Sequence, residues 1–408
     1  MIKLSFGRSC LAMLFVGASL SVAALTGSRL ADGPAARLCN ETSRWLAFDG
    51  QKARPQAASG VIAAAAAKEV VLLGEQHDSE DHHRWQLQVL AALHAQRPDL
   101  VIGFEMFPRR LQPVLDRWVK GELTTPEFLA RTEWEKVWNF PPHIYLPLFE
   151  FARINRIPML ALNVEQTLTR AISDKGWDGV PVAEREGVGK AAPPSPAYRE
   201  FLREQHQMHV EMRRHPHGDK PPPPEVPLTH FIDTQLTWDR AMAEALAGRL
   251  GGTDAAARPL VVGIMGSGHL RFGHGVPHQL RALGIQRIAT LLPVSPDGEC
   301  RELRPGLADA LFLLPDKPLP PVEPPRLGVT LEDGRDGLRI SQVMAGSLAE
   351  KSGLQAGDHI AEMAGRPVSK SAEAIAMIRR QPPGTWLPLR ILRREEALEI
   401  VVRFPARS

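Results

Sequence analysis

Five short apolar runs along the first three quarters of the chain each stop at a polar residue: EVVLLGEQH, DLVIGFE, IPMLALN, RPLVVGIMGSGH and RIATLLPV. Segments of helical periodicity follow them. After the first run, Asp78 or Ser79 is placed to cap a helix on which Trp85, Val89, Ala92 and Leu93 recur at i, i+4, i+7 and i+8. A second stripe carries Phe231, Trp238, Met242 and Ala245. Strand-like runs alternating with helical patterns predict an α/β domain built on a mostly parallel sheet flanked by helices.

The pattern breaks twice. Residues 315–325 read PDKPLPPVEPP, an extended, semi-rigid spacer that separates a first domain, 40–314, from a second, 326–405. Residues 187–227 hold AAPPSP and HPHGDKPPPP around a charged helical stretch from Pro196 to Arg214, an irregular Pro/His-rich insertion placed like a lid.

At the other end, Lys3 and Arg8 precede an apolar run from Leu11 to Leu25, with Ser21 and Ala23 spaced as in a cleavage site. This reads as a signal peptide over 1–25 and predicts a periplasmic or otherwise exported protein. The run is shorter than the roughly 20 residues of a membrane span. Neither Cys10 nor Cys39 sits where a lipid-bearing cysteine follows a signal. Cys39 and Cys300 would remain, either as one disulfide or as two thiols. The formal charge of +3 over 408 residues gives no electrostatic footprint for nucleic acid.

Ligands of parallel α/β sheets bind at the carboxyl ends of the strands, where loops splay and helix N-termini point inward. That rule selects Glu75, His77, Glu105, Asn163 and His269. Both of these histidines close a G-x-x-H frame, Gly74 to His77 and Gly266 to His269, in which glycine is expected to let the strand turn sharply. His77 and His269 with Glu75 or Glu105 could hold a divalent metal ion for hydrolysis, or form a hydrogen-bonded network fixing the loops. HExxH and GxSxG are absent. His82 and His83 point about 100° apart on a helix, so they do not share a ligand set and one or both should face solvent. His206, His209, His215 and His217 could hold a borderline metal, but suit a charged exposed face better.

The set LLGEQHD, GFEMFPR, HIYLPLFEFARINRIPMLALN, TQLTWDRAMAEAL and GSGHLRFGHGVP resembles the ChaN family of haem-binding uptake proteins, in the Tiki superfamily, over roughly residues 65–295. The resemblance implies non-covalent haem, with iron or haem uptake as its setting and a homodimer sharing haem as a further implication. It also implies, as the alternative, a metal-dependent peptidase or esterase using the paired G-x-x-H positions. Tyrosine is a known axial ligand of ferric haem. Of the two tyrosines, Tyr145 lies in the resembling segment beside Trp138, Phe140, His143 and Phe149, and is expected to ligate iron, with His77 and His269 as alternatives. A surface-satisfied hydroxyl is the other reading of Tyr145. His77, Arg109 and Arg110 are candidates for the propionates.

The second domain resembles a bacterial PDZ domain, a small α+β, β-barrel-like fold. RLGVTL, the turn Gly353-Leu354, then Gly357-Asp358, Ile360 and Gly365 carry the likeness. It implies capture of a peptide or protein C-terminus by backbone N–H groups of Leu327, Gly328 and Val329, with Ile375 among the pocket residues.

Overall fold

The computed structural model describes residues 42–214, 226–251, 258–295, 303–315, 325–334 and 337–406. The segment read as a signal peptide, Cys39, Cys300, His215, His217 and most of the proline spacer lie outside the described residues. The chain divides into two units, Met1–Lys317 and Pro318–Ser408.

In the first unit the strands are β1 (Arg44–Asp49), β2 (Lys52–Gln56), β3 (Val70–Glu75), β4 (Leu100–Pro108), β5 (Met159–Asn163), β6 (Leu260–Gly266), β7 (Ile288–Val294) and β8 (Ala310–Leu313). They form one sheet in the order β2-β1-β8-β7-β3-β6-β4-β5. Pairings from β8 through β5 are parallel. β1 pairs antiparallel with both β2 and β8.

The five apolar runs are β3 to β7, as their pattern predicts. The antiparallel edge is new. β2 reads KARPQ and carries the lysine and proline that blunt an exposed edge against foreign strands, which is why its sequence does not read as a strand.

Helices α1 (Ala58–Ala66), α2 (Glu80–Gln96), α3 (Gln112–Val119), α4 (Thr125–Arg131), α5 (Trp134–Val137) and α6 (Pro142–Ile154) are followed by α7 (Gln166–Lys175), α8 (Pro196–Arg214), α9 (Leu228–Ala247) and α10 (Val276–Ala282). Ser79 caps α2 by accepting from the His82 backbone N–H at 3.4 Å, and Trp85, Val89 and Leu93 are its buried face. Alternate residues of the strands feed two cores. Leu73, Ile102 and Phe104 meet Trp85, Trp118, Phe128 and Phe149 on one side. Leu72, Val101 and Val261 meet Met242, Leu246 and Leu280 on the other.

The described part of the insertion contains regular structure. Its charged stretch is a 19-residue helix, α8, whose Tyr198 and Leu202 pack with Phe231, Ile232 and Leu236 of α9. His206 meets the Val226 carbonyl oxygen at 2.7 Å and His209 stands edge-on to Phe231, so both rings serve this packing.

The second unit contains β9 (Val329–Gly334), β10 (Gly337–Val343), α11 (Leu348–Lys351), β11 (His359–Met363), β12 (Arg366–Pro367), α12 (Ser371–Arg379), β13 (Trp386–Arg393) and β14 (Glu396–Arg403). Its sheet runs β14-β13-β11-β10-β9, with β12 on β11, around a core of Leu338, Ile340, Met363, Leu389 and Ile391. β9 and β14 are its edges.

Candidate functional site

The site is assembled by strand order. β6 enters the sheet between β3 and β4, so three chain segments distant in sequence end side by side, with Glu75 in register opposite Gly266. This is a point where the strand order reverses, the place where α/β sheets bind ligands. Glu75, Glu105 and His269 are all buried there, and His77 is partly exposed.

The glycines of the two G-x-x-H frames act by leaving room, not by allowing a turn. Neither has a positive φ. A Cβ on Gly74 would come within 2.3 Å of Leu292 Cδ2 and 2.6 Å of Ser267 Oγ. One on Gly266 would crowd the His77 ring at 3.0–3.1 Å.

Glu75 is a hub. Its Oε1 lies 2.9 Å from His77 Nδ1 and accepts from the Tyr145 hydroxyl at 2.9 Å. Its Oε2 accepts from Gln86 Nε2 at 3.0 Å, and His83 Nε2 stands 3.3 Å away without hydrogen-bond alignment. Burial works to raise the Glu75 pKa, but His83 and His77 outweigh it and hold the carboxyl well below its ordinary value. Burial opposes charge on His77 too, and is outweighed by its hydrogen bond to Glu75 and by the Glu105 carboxylate, so its pKa is raised.

Tyr145, expected as an iron ligand, lies inside this network. It is fully buried, its hydroxyl lies 2.9 Å from Glu75 Oε1 and 3.0 Å from the His77 carbonyl oxygen, and burial with the Glu75 charge pushes its pKa well above the ordinary value. It is a protonated donor bracing the carboxylate that holds His77.

At the second frame, His269 Nδ1 lies 2.6 Å from Asp239 Oδ1, and the Tyr198 hydroxyl donates to Asp239 Oδ2 at 2.8 Å. His269 Nε2 faces Glu105 Oε1 at 3.7 Å, while Glu105 Oε2 accepts from the Gly266 N–H at 2.7 Å. Burial lowers the His269 pKa, but Asp239 and Glu105 outweigh it and raise the value to about 8. Asp239, Tyr198 and Gln86 were not among the expected site residues, because each sits mid-helix or in the insertion, away from any strand end.

The expectation for His82 and His83 is corrected. His82 and His83 are both buried, not solvent-facing. They do diverge: His82 Nδ1 accepts from the Gln76 N–H at 2.9 Å and its Nε2 meets Ser295 Oγ at 3.2 Å, whereas His83 turns to Glu75 and to the Tyr145 ring, 4.1 Å between centroids. Arg109 donates to the carbonyl oxygens of Glu186 at 3.1 Å and Ala241 at 3.0 Å, and Arg110 pairs with Glu133 and Glu165. These guanidinium forks tie loops to helices and are already engaged as donors. Asn163 donates to the Glu105 carbonyl oxygen at 3.0 Å and accepts from the Val164 N–H at 2.8 Å, capping the end of β5. Among the described residues no three His, Cys, Asp or Glu side chains are grouped to hold a metal ion. A cavity of about 360 Å³ is lined by Arg109, Gln112, Leu160, Ala161, Glu244 and Ala245, and by none of these histidines.

The buried histidines predict a bell-shaped dependence of stability on pH. His82, depressed to about 3 by burial and then by His83, stays neutral when the unfolded chain takes up a proton near pH 6.5. Its contribution is lost as pH falls from about 6.5 toward 3. His269, raised to about 8, contributes below about 6.5 and loses on the order of 2 kcal/mol as pH rises through 8. Urea midpoints should therefore peak near pH 6.5, and Asp239→Asn should flatten the alkaline side; a midpoint rising steadily to pH 9 would contradict this.

In the second unit, Gly328 has φ +78° and a Cβ there would meet Ser347 Cβ at 2.4 Å, so the loop before β9 needs glycine. The Leu327 carbonyl oxygen accepts from Ala349 N–H at 2.9 Å, anchoring that loop on α11. α12 is tied to β9 by the Ser371 N–H donating to Asp333 Oδ1 at 2.7 Å. Ala374 and Ile378 of α12 enter the core, and Ile375 is 41% exposed.

No described helix is long and apolar enough to cross a membrane. A family model described as haem-binding uptake, Tiki superfamily, ChaN matches residues 61–280, and a PDZ domain model matches 319–392. The periplasmic serine endoprotease DegP of Salmonella typhimurium is 37% identical over 68 residues, 17% of this chain and 14% of that protein. The periplasmic pH-dependent serine endoprotease DegQ of Escherichia coli is 37% identical over 70 residues, 17% of this chain and 15% of that protein. The chain thus spans only a small part of these curated relatives. Among solved structures, ChaN of Campylobacter jejuni, described by its cofacial heme binding, is 18% identical with a TM-score of 0.47, covering 63% of this chain and 92% of that one. The HtrA-type protease AlgW with a decapeptide is 19% identical with a TM-score of 0.19, covering 20% and 29%.

Proposed function

Because this chain belongs to the haem-binding uptake, Tiki superfamily, ChaN family and ends in a PDZ domain, we propose that it is an exported protein that binds haem non-covalently in iron or haem handling. The PDZ domain docks it to a peptide or to a partner's C-terminus. The observation that carries the haem reading is His77.

Haem asks for an iron donor beside an apolar wall. The His77 side chain is 12% exposed, against 6% for His269. With Nδ1 engaged by Glu75, its Nε2 is the nitrogen left to ligate. Trp138 stands edge-on to the ring at 4.8 Å and Phe140 lies at 5.7 Å. The donor chemistry fits, since a carboxylate on the far nitrogen fixes the tautomer and raises ligand basicity. Bound haem would supply an iron centre. Glu75 then orients the imidazole, Tyr145 and Gln86 keep Glu75 in place, and the aromatic pair excludes water.

Titrating the purified chain with hemin tests this. A saturable Soret shift at one hemin per chain is expected; a spectrum no different from free hemin would refute the reading.

The second reading, a metal-dependent peptidase, draws on the same braced histidines, because metal-binding imidazoles also carry outer carboxylates. Peptide cleavage that appears with an added divalent metal and vanishes in His269→Ala would favour it over haem.

For the PDZ domain, the exposed edge of β9 is the position where a peptide adds as a further strand. Its carboxylate is taken by the backbone of Leu327, Gly328 and Val329, and its last apolar side chain lies against Ile375. Ile375→Ala should weaken an apolar C-terminal peptide about 5- to 20-fold, a loss of roughly 1–2 kcal/mol. Equal affinity for the same peptide with an amidated C-terminus would count against carboxylate capture.

A further inference from the structure

We propose that Asp239 and Tyr198 are positioning residues for His269, forming the counterpart of the Glu75 and Tyr145 pair that holds His77. The functional part of this proposal rests on the strand-end site being where the ligand binds.

The chain contains two tyrosines. They lie on different helices, α6 and α8, yet they do the same thing. Tyr145 donates to Glu75, which holds His77 Nδ1, at 2.9 Å for both contacts. Tyr198 donates to Asp239, which holds His269 Nδ1, at 2.8 and 2.6 Å. Each carboxylate side chain is fully buried. A buried carboxylate is costly unless its lone pairs are met, and in each case a tyrosine meets one that the histidine cannot.

The surroundings of Asp239 are built around this contact. Gly275 has φ +57°, and a Cβ there would come 2.8 Å from Asp239 Oδ1 and 2.4 Å from the His269 carbonyl oxygen, so only glycine lets the chain pass. His274 stacks on the Tyr198 ring, 5.2 Å between centroids at 25°. With Nδ1 turned to Asp239, His269 presents Nε2 to Glu105. His77 Nε2 and Glu105 Oε2 both border Gly266, 3.1 and 3.7 Å from the position its Cβ would take.

Both carboxylates thus engage the same ring nitrogen, Nδ1, and leave the Nε2 of each histidine on the Glu105 and Gly266 side of the site. The consequence concerns the insertion. Helix α8 lies in the insertion, away from every strand end, yet through one hydroxyl it supports the carboxylate that holds His269.

The test uses the full chain with ¹⁵N-labelled histidine at about pH 9, above the value of about 8 to which His269 is raised, so that the ring carries one proton. Wild-type His269 should show a protonated, hydrogen-bonded Nδ1 with its proton far downfield. Asp239→Asn should lose that signal and move the proton to Nε2, as an amide in place of an orienting carboxylate does elsewhere. Tyr198→Phe keeps the stacked ring, so the fold is expected to survive. It should retain the tautomer with a weakened, faster-exchanging signal. Hemin affinity should fall in Asp239→Asn, by less than the roughly 10- to 100-fold cost of losing an outer partner of the iron donor itself, with the Soret position unchanged. A wild-type ring signal in Asp239→Asn would overturn the positioning role, and unchanged hemin affinity in both variants would overturn its functional part. If the wild-type chain binds no hemin, the haem reading falls while the ring-nitrogen signals still decide the positioning.

Discussion

Glu75→Gln should cost the first unit about 3–5 kcal/mol, the penalty for breaking a buried charged network by removing one partner. The carboxylate faces donors from every side: His77 and Tyr145 on Oε1, and Gln86 with His83 near Oε2. An amide puts an N–H₂ against one of these donors, whichever way it is turned. It also removes the charge that the neighbouring histidines favour. Tyr145→Phe, by contrast, only strips one donor from a carboxylate that keeps the others, so about 1–3 kcal/mol is expected. Urea unfolding of the two variants gives the comparison. A loss under about 1 kcal/mol for Glu75→Gln would mean that the hub is not holding the strand ends.

His77→Ala should cost about 1–3 kcal/mol, because the buried Glu75 carboxylate loses one donor, yet leave the chain folded, and reduce hemin affinity by at least about 100-fold, since losing the donor itself exceeds the 10- to 100-fold cost of losing an outer partner. The ring is partly exposed and packs against Trp138 and Phe140 at the rim of the core, so its removal opens no enclosed cavity. Titration by Soret absorbance measures the affinity and thermal melting checks the fold. If His77→Ala binds hemin as the wild type does, the iron donor lies elsewhere.

Much of this was legible in the chain. The apolar runs of β3 to β7 are buried on both faces and read as continuous hydrophobic segments, and the G-x-x-H frames mark the two adjacent strands where the site forms. Strands β1, β2 and β8 were not legible: β2, at the edge, carries a proline, and β1 and β8 are too short to show a strand pattern. Nor was the histidine environment. Charge and sequence spacing suggested that His82 or His83 faces solvent, but burial follows from how α2 packs over β3, with Gln86 donating to the Gly74 carbonyl oxygen at 3.2 Å. Arg109 and Arg110 looked like free cations because their partners, from Glu133 to Glu244, are distant in sequence.

Tyr145 is the most instructive case. Its aromatic surroundings and scarcity made it an attractive ligand, and no spacing in the chain foretells that its hydroxyl meets Glu75 Oε1 at 2.9 Å. Asp239 and Tyr198 give a signal only in retrospect: a carboxylate and a tyrosine on helices with no apolar reason to be polar inside.

The central claim is that His77, not Tyr145, is the donor and that tyrosine braces its carboxylate. Hemin complexes of Tyr145→Phe and His77→Ala, recorded side by side by absorption and electron paramagnetic resonance, test it most directly. Tyr145→Phe should keep the wild-type Soret position and ferric signal with affinity lowered by no more than about 10-fold, while His77→Ala loses both features. Loss of the wild-type spectrum in Tyr145→Phe together with its retention in His77→Ala would contradict the account.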